Sequence, residues 1–286
     1  MSTTSVNADQ DTAEKLKSLE LTQRPEKSLA GRFIYWLGVA FALVHIYFNT
    51  LGTLPELWVS AIHFGGFALI CSLMVPMCRC QTAAGRQLTL LLDVLIGIAA
   101  VFCALYLIGF EDALYERGVK FVQLDWVFAL CAIFIALEMA RRTTGWVIPV
   151  MIVTALTYVC WWGQYLDGVF GFPGLSLETV LFRSYFSPEG MFGSIARISW
   201  TFVFMFILFG AFLVKSGAGD FIIELSRCAA GRFVGGPGFV AVLGSGLMGS
   251  VSGSSVANTV STGVITIPLM RKAGFPAKFA AGVEAA

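Results

Sequence analysis

Of 286 residues, 57% are hydrophobic and only 13% are charged, far from the roughly 25% charged share of a water-soluble domain. The net charge is +1, which excludes the global basic field that nucleic-acid binding needs, so no nucleic-acid partner is expected. The basic residues instead form short clusters between apolar runs, as in membrane loops, and the lipid bilayer is the expected surrounding.

Residues 1–30 are polar and mixed in charge, with Glu14, Lys15, Lys17 and Glu20. They lack the basic start and apolar core of a signal peptide and read as a solvated cytoplasmic tail. Six apolar stretches follow, at 33–51, 57–77, 88–110, 126–140, 147–164 and 198–214. Each is near the ~20 residues that a helix needs to cross the hydrocarbon core. Within these spans, His45 and His63 read as packed or interfacial, with no carboxylate spaced to form a metal set. Asp93 stands seven positions after Arg86, so a pairing of these two along one helix face is expected. Glu138 precedes Arg141 and Arg142 by three and four positions, the spacing of helical ion pairs.

Loop charge sets the expected orientation. Arg79 and Arg86 occupy the second loop, and Arg141 and Arg142 the fourth; Lys215, Arg227 and Arg232 follow the sixth span. The first loop, 52–56, has no base, and 111–123 carries three acids against two bases. Positive residues thus favour every second loop, which places the N-terminus in the cytoplasm of a multi-pass inner-membrane protein. Cys78 and Cys80 would then be loop thiols on the reducing side, since no second cysteine pair or nearby histidine completes a metal site. The composition changes near Thr144, from closely joined spans to a long Gly- and Phe-rich loop at 166–191. A tail at 1–30, a four-span bundle at 31–144 and a second region at 145–286 are therefore expected.

The stretch 237–268 differs from the other apolar runs. Glycines interrupt it, and Ser250 to Thr262 holds seven hydroxyl residues besides Asn258. Glycine weakens a helix by about 1 kcal/mol relative to alanine, so a Gly/Ser cluster favours a break. The halves at 237–248 and 256–268 are each too short to cross alone. Backbone groups freed at such a break must be buried in protein or line a wet cavity. Carbonyls there, with Ser, Thr and Asn oxygens, form a neutral hard-ligand set suited to Na⁺, and a helix N-terminus beside them suits an anion. Ser245, Gly249 and Gly253 recur every four positions, so close helix packing accounts for part of the pattern. Either a re-entrant hairpin or a broken full span fits. The fold expected is an all-α integral membrane protein: a polytopic helical bundle of about six transmembrane helices plus this broken segment.

An enzyme is not expected. Residues 249–253 read G-S-V-S-G and lack the G-x-S-x-G spacing, and no histidine or lysine base follows nearby in a span. No Walker A or dinucleotide fingerprint occurs.

The motifs in this half resemble the large membrane subunit of tripartite ATP-independent periplasmic (TRAP) transporters. The resemblance is carried by 204–213 with Lys215-Ser-Gly-Ala-Gly, by Leu225-Ser-Arg-Cys-Ala-Ala-Gly-Arg and by Ser252-Gly-Ser-Ser-Val-Ala-Asn258. It continues through Ile267-Pro-Leu-Met-Arg-Lys-Ala-Gly-Phe275 and Phe279-Ala-Ala-Gly-Val-Glu284-Ala-Ala. Asn258 and the Glu284-Ala-Ala ending resemble the fused permeases that work with TAXI-type periplasmic binding proteins, in which a four-span small subunit precedes the large one. The resemblance implies secondary transport of a small organic anion, a carboxylate, delivered by such a binding protein and driven by Na⁺ as coupling ion. Carried over by residue, it places Ser252, Gly253, Ser254, Ser255 and Asn258 nearest the ions. Ser254, Ser255, Asn258 and Thr262 would be at the substrate. It also implies a second, inverted repeat after Ala286, so the chain is expected to be incomplete as given. The other reading is a non-transporting membrane scaffold.

Overall fold

The computed structural model describes residues 29–78, 82–233, 235–252 and 255–285, and every regular element among them is helical. Six helices are long and apolar enough to cross a membrane: Gly31–Thr50, Glu56–Met74, Ala84–Gly109, Gln123–Thr144, Val147–Tyr165 and Ser194–Phe212. They coincide with the six expected runs, because in lipid a single segment can satisfy its own backbone only as a helix. The chain divides into two compact units after Trp200.

In the first unit, α1 (Leu29–Thr50), α2 (Glu56–Met74) and α3 (Ala83–Gly109) follow one another, then the short α4 (Glu111–Arg117) and α5 (Gln123–Thr144). Thr82 opens α3 by accepting the Gly85 N–H at 3.2 Å. Gly145, at φ +80°, closes α5 in a conformation that other residues adopt only with strain. Then come α6 (Val147–Thr157), α7 (Leu177–Leu181) and α8 (Ser194–Ile198), each continued by a π-helical turn.

Small residues hold α2 and α3 together. A methyl group added at Gly65 would lie 3.0 Å from Ala104 Cβ, and one at Gly97 would lie 2.6 Å from Leu69 Cδ1 and 2.7 Å from Ser72 Oγ. Between helices with no water to expel, such close backbone approach supplies the dispersion that binds them. Gly97→Leu is therefore expected to lower the thermal unfolding midpoint in detergent, at a cost of about 1–3 kcal/mol from overpacking. An unchanged midpoint would refute the tight contact.

Polar side chains knit the bundle further. The buried His45 is packed, as expected: Nδ1 donates to Phe41 O at 2.9 Å, and Nε2 meets His63 Nδ1 at 2.9 Å. His63 Nε2 in turn lies 3.1 Å from Ser199 Oγ. Because Phe41 O only accepts, neutral rings leave one proton pattern: Ser199 donates to His63, and His63 to His45. At the other end of the span, Asp93 does not pair with Arg86, which is exposed. Its partner is Arg142, whose Nη1 lies 2.8 Å from Asp93 Oδ1, with side chains 1% and 0% exposed. Helical spacing alone pointed along α3; the tertiary fold instead brings the end of α5 against Asp93. Arg142 Nη1 also donates to Val75 O at 2.9 Å and Arg142 Nε to Glu138 Oε1 at 2.8 Å. Arg141 pairs with Glu138 Oε2 at 2.7 Å, so the expected Glu138 pairs are both present.

Residues 166–191, read from sequence as a loop, are helical over half their length and enter the core. Tyr185, Phe186 and Phe192 join the buried cluster of α2, α3 and α5. The Tyr185 hydroxyl donates to Cys103 O at 2.5 Å, and burial pushes this phenol well above its usual range, so it remains a donor. Aromatic residues in a polar-flanked segment can signal a plug as well as a loop. The composition change at Thr144 falls inside the first compact unit, where α6 packs on α5 and the Tyr185–Phe192 segment on α2, α3 and α5.

The second unit comprises α9 (Phe204–Lys215), α10 (Ala218–Ala230), α11 (Gly236–Ser252), α12 (Ser255–Lys272) and α13 (Ala277–Ala285). Gly274, at φ +92°, turns the chain from α12 towards α13. Its core is small: Ala241, Met270 and Ala280, flanked by Ile267, Phe275 and Val283. Glycines on α11 admit its neighbours, with Ile223 and Ser226 against Gly244 and the Phe275 ring against Gly238.

Candidate functional site

Two helices are described across 237–268. α11 ends at Ser252 and α12 begins at Ser255; Gly253 and Ser254, between them, lie outside the described residues. The two helices have 17 and 18 residues, longer than the halves expected from sequence. α12 runs through Pro268, which removes one backbone bond and crowds the carbonyl four residues before it.

Asn258 decides between the two expected geometries. Its Nδ2 donates to Ser245 O at 3.0 Å and to Ser245 Oγ at 2.8 Å. In collinear helix halves, residues thirteen apart would stand about 20 Å from each other at 1.5 Å per residue. The segment is therefore a hairpin whose second helix folds back along the first. Gly249 makes the approach possible, since a methyl group there would lie 3.2 Å from the Asn258 amide.

From the tip inward, Asn258, Thr262 and Thr266 recur every four residues and share one face of α12. Thr262 and Thr266 are 2% and 0% exposed. Thr262 Oγ1 lies 2.8 Å from Asn258 O, and Thr266 Oγ1 lies 2.9 Å from Thr262 O. Both hydroxyls also contact the carboxylate of Glu284 on α13, Thr262 at Oε1 and Thr266 at Oε2. Gly263 leaves room for this carboxylate, for a methyl group there would sit 3.2 Å from Glu284 Cγ.

Of the residues expected at the site, the structure brings Asn258 and Thr262 onto one polar face and sets Ser252 and Ser255 at the hairpin turn. Sequence reasoning missed Ser245, Thr266 and Glu284 as members. The fourfold spacing of Asn258, Thr262 and Thr266 was a readable signal; the approach of Glu284 from 18 and 22 positions away was not. The set contains only oxygen acceptors and hydroxyls apart from the Asn258 amide, and so suits a hard cation.

Six candidate spans, entirely helical regular structure and a polar hairpin within an apolar unit define a polytopic membrane protein. Residues 131–286 match the family model of the tripartite ATP-independent periplasmic transporter, DctM component, and the chain belongs to that family. It is similar to the C4-dicarboxylate TRAP transporter large permease protein DctM of Rhodobacter capsulatus, 34% identical over 115 residues, covering 38% of this chain and 26% of that protein. Another relative is the 2,3-diketo-L-gulonate TRAP transporter large permease protein YiaN of Escherichia coli. It is 38% identical over 80 residues, 28% of this chain and 19% of that protein. The sialic acid TRAP transporter large permease protein SiaM of Vibrio cholerae is 30% identical over 101 residues, 35% of this chain and 24% of that protein. The chain thus matches only about a quarter or less of these relatives' length. No solved structure matches.

Proposed function

We propose that this chain is a membrane permease component of a secondary TRAP-type transporter that imports organic anions, carboxylates, with Na⁺ as the coupling ion. In this reading a periplasmic binding protein of the TAXI type delivers the solute. The N-terminus faces the cytoplasm, and residues 31–144 play the part of a fused small subunit ahead of a large-subunit region at 145–286. The observation that carries it is the α11–α12 hairpin closed by Asn258 on Ser245, lying inside the stretch that matches the family. At such a turn the backbone carbonyls and hydroxyls can replace the water shell of a small cation, and the start of α12 offers N–H donors to a carboxylate. The substrate class follows the printed names of two relatives, which concern a C4-dicarboxylate and 2,3-diketo-L-gulonate; the periplasmic partner follows the family, and its TAXI type follows only the resemblance carried by Asn258 and Glu284-Ala-Ala.

Uptake into proteoliposomes, with and without a Na⁺ gradient and a TAXI-type binding protein, tests the reading. Carboxylate uptake that requires both is expected; uptake indifferent to Na⁺ would remove the coupling assignment. A scaffold role has one specific support in the first unit, where Asp93, Glu138 and Arg142 engage one another. Deleting residues 252–255 separates the two roles. A scaffold should still assemble and keep its Na⁺-independent behaviour, whereas a transporter should lose Na⁺ binding at the hairpin.

A further inference from the structure

Glu284 poses a question of charge. It is 3% exposed, and among the described residues no basic side chain forms an ion pair with it. A carboxylate buried in an apolar unit is costly unless something positive compensates it. Its two neighbours cannot do so fully. Thr262 Oγ1 faces two acceptors, Asn258 O and Glu284 Oε1, and Thr266 Oγ1 likewise faces Thr262 O and Glu284 Oε2. A hydroxyl carries one hydrogen, so two hydrogens must serve four oxygen–oxygen contacts. With the carboxyl ionised, every arrangement leaves two contacts lone pair against lone pair.

The geometry points to a monovalent-cation site at Glu284, Thr262 and Thr266, separate from the hairpin turn and deeper in the second unit. Positive charge placed among these oxygens relieves the lone-pair contacts and the buried carboxylate together. The donor set is all oxygen, which selects a hard ion. A single carboxylate matches a single positive charge, and among the described residues no group of three acidic, His or Cys side chains offers a divalent site. The inference rests on the transporter reading for its ion, Na⁺. It adds a second position for that ion, where a carboxylate on α13 balances its charge and Thr262 links the carboxylate to Asn258. The hairpin turn and this site would then respond to the same cation through one hydroxyl.

The test uses the full chain in detergent, with ²²Na⁺ binding and the thermal unfolding midpoint followed against NaCl, and choline chloride holding ionic strength constant. Glu284→Gln keeps the side chain's shape and an acceptor and donor for the two threonines, so it should fold. It is expected to weaken Na⁺ binding at least tenfold and to erase most of the Na⁺-specific rise in midpoint. Thr266→Val, which removes one ligand and no charge, should weaken binding less. Arg227→Gln, which breaks only the exposed pair with Glu224 on α10, should leave this binding within about twofold, since a surface ion pair contributes about 1 kcal/mol or less. Folded Glu284→Gln protein that binds Na⁺ like the parent, or a parent that binds none, would overturn the proposal. Failure of the transporter reading would look different: no Na⁺-dependent uptake although Glu284→Gln still abolishes Na⁺ binding.

Discussion

Arg142→Met is expected to destabilise the first unit by about 3–5 kcal/mol, the range found when one partner of a buried ion pair is removed. Arg142 and Asp93 are 1% and 0% exposed and 2.8 Å apart, so neither reaches water when its partner is deleted. Arg142 also caps the end of α2 through Ser72 O and Val75 O, which fastens three helices with one guanidinium. Asp93→Asn should cost less than Arg142→Met, because Glu138 still faces the guanidinium. The double variant Asp93→Asn/Arg142→Met should be more stable than the sum of its parts predicts, since it leaves no charge of that pair uncompensated. Chemical unfolding in a fixed detergent measures all three. Strict additivity would mean that the two charges do not interact in the membrane-embedded protein.

Asn258→Ala is expected to open the hairpin. It removes two bonds to Ser245, at 2.8 and 3.0 Å, each worth about 1 kcal/mol net. A loss of about 2 kcal/mol raises the open population roughly 30-fold. Hydrogen exchange should therefore accelerate in peptides covering 240–262 and stay unchanged in α3 and α5. Ser245→Ala, which keeps the bond to the backbone carbonyl, should give an intermediate effect. Because the hairpin turn is proposed to bind the transported solute and ion, uptake by Asn258→Ala should fall by tenfold or more. Exchange rates identical to the parent would show that Asn258 does not hold the two helices together.

Much of the fold was legible because the solvent is so restrictive. A run of about 20 apolar residues in lipid has one spanning solution, the helix, so composition and length located all six spans. The Glu138 pairs were legible for a similar reason: three- and four-residue spacing fixes neighbours on a helix without reference to anything else. The Asp93 partner was not legible by that logic. A carboxylate in lipid seeks the nearest desolvated cation in space, and that cation arrived from another helix 49 positions away. The segment 166–191 misled for a related reason: its Tyr and Phe side chains gain their place only against α3 and α5, which a window along the chain cannot contain.

The candidate site shows the same division within a few residues. Gly and Ser at 249–255 announced a break, since they weaken a helix whatever surrounds it. Whether the break bends or merely interrupts depends on a partner, and Asn258 reaching Ser245 supplied it.

By itself, then, the sequence determined a helical membrane chain with six spans, an interrupted apolar segment and motifs resembling TRAP permeases, because backbone hydrogen bonding in lipid is a local constraint. Only the tertiary structure decided that the interrupted segment doubles back, that Asp93 answers to Arg142 and that Glu284 meets Thr262 and Thr266. Those are contacts of charge and polarity between distant segments. Their energies depend on which groups the fold strips of water together, and one-dimensional spacing does not record that.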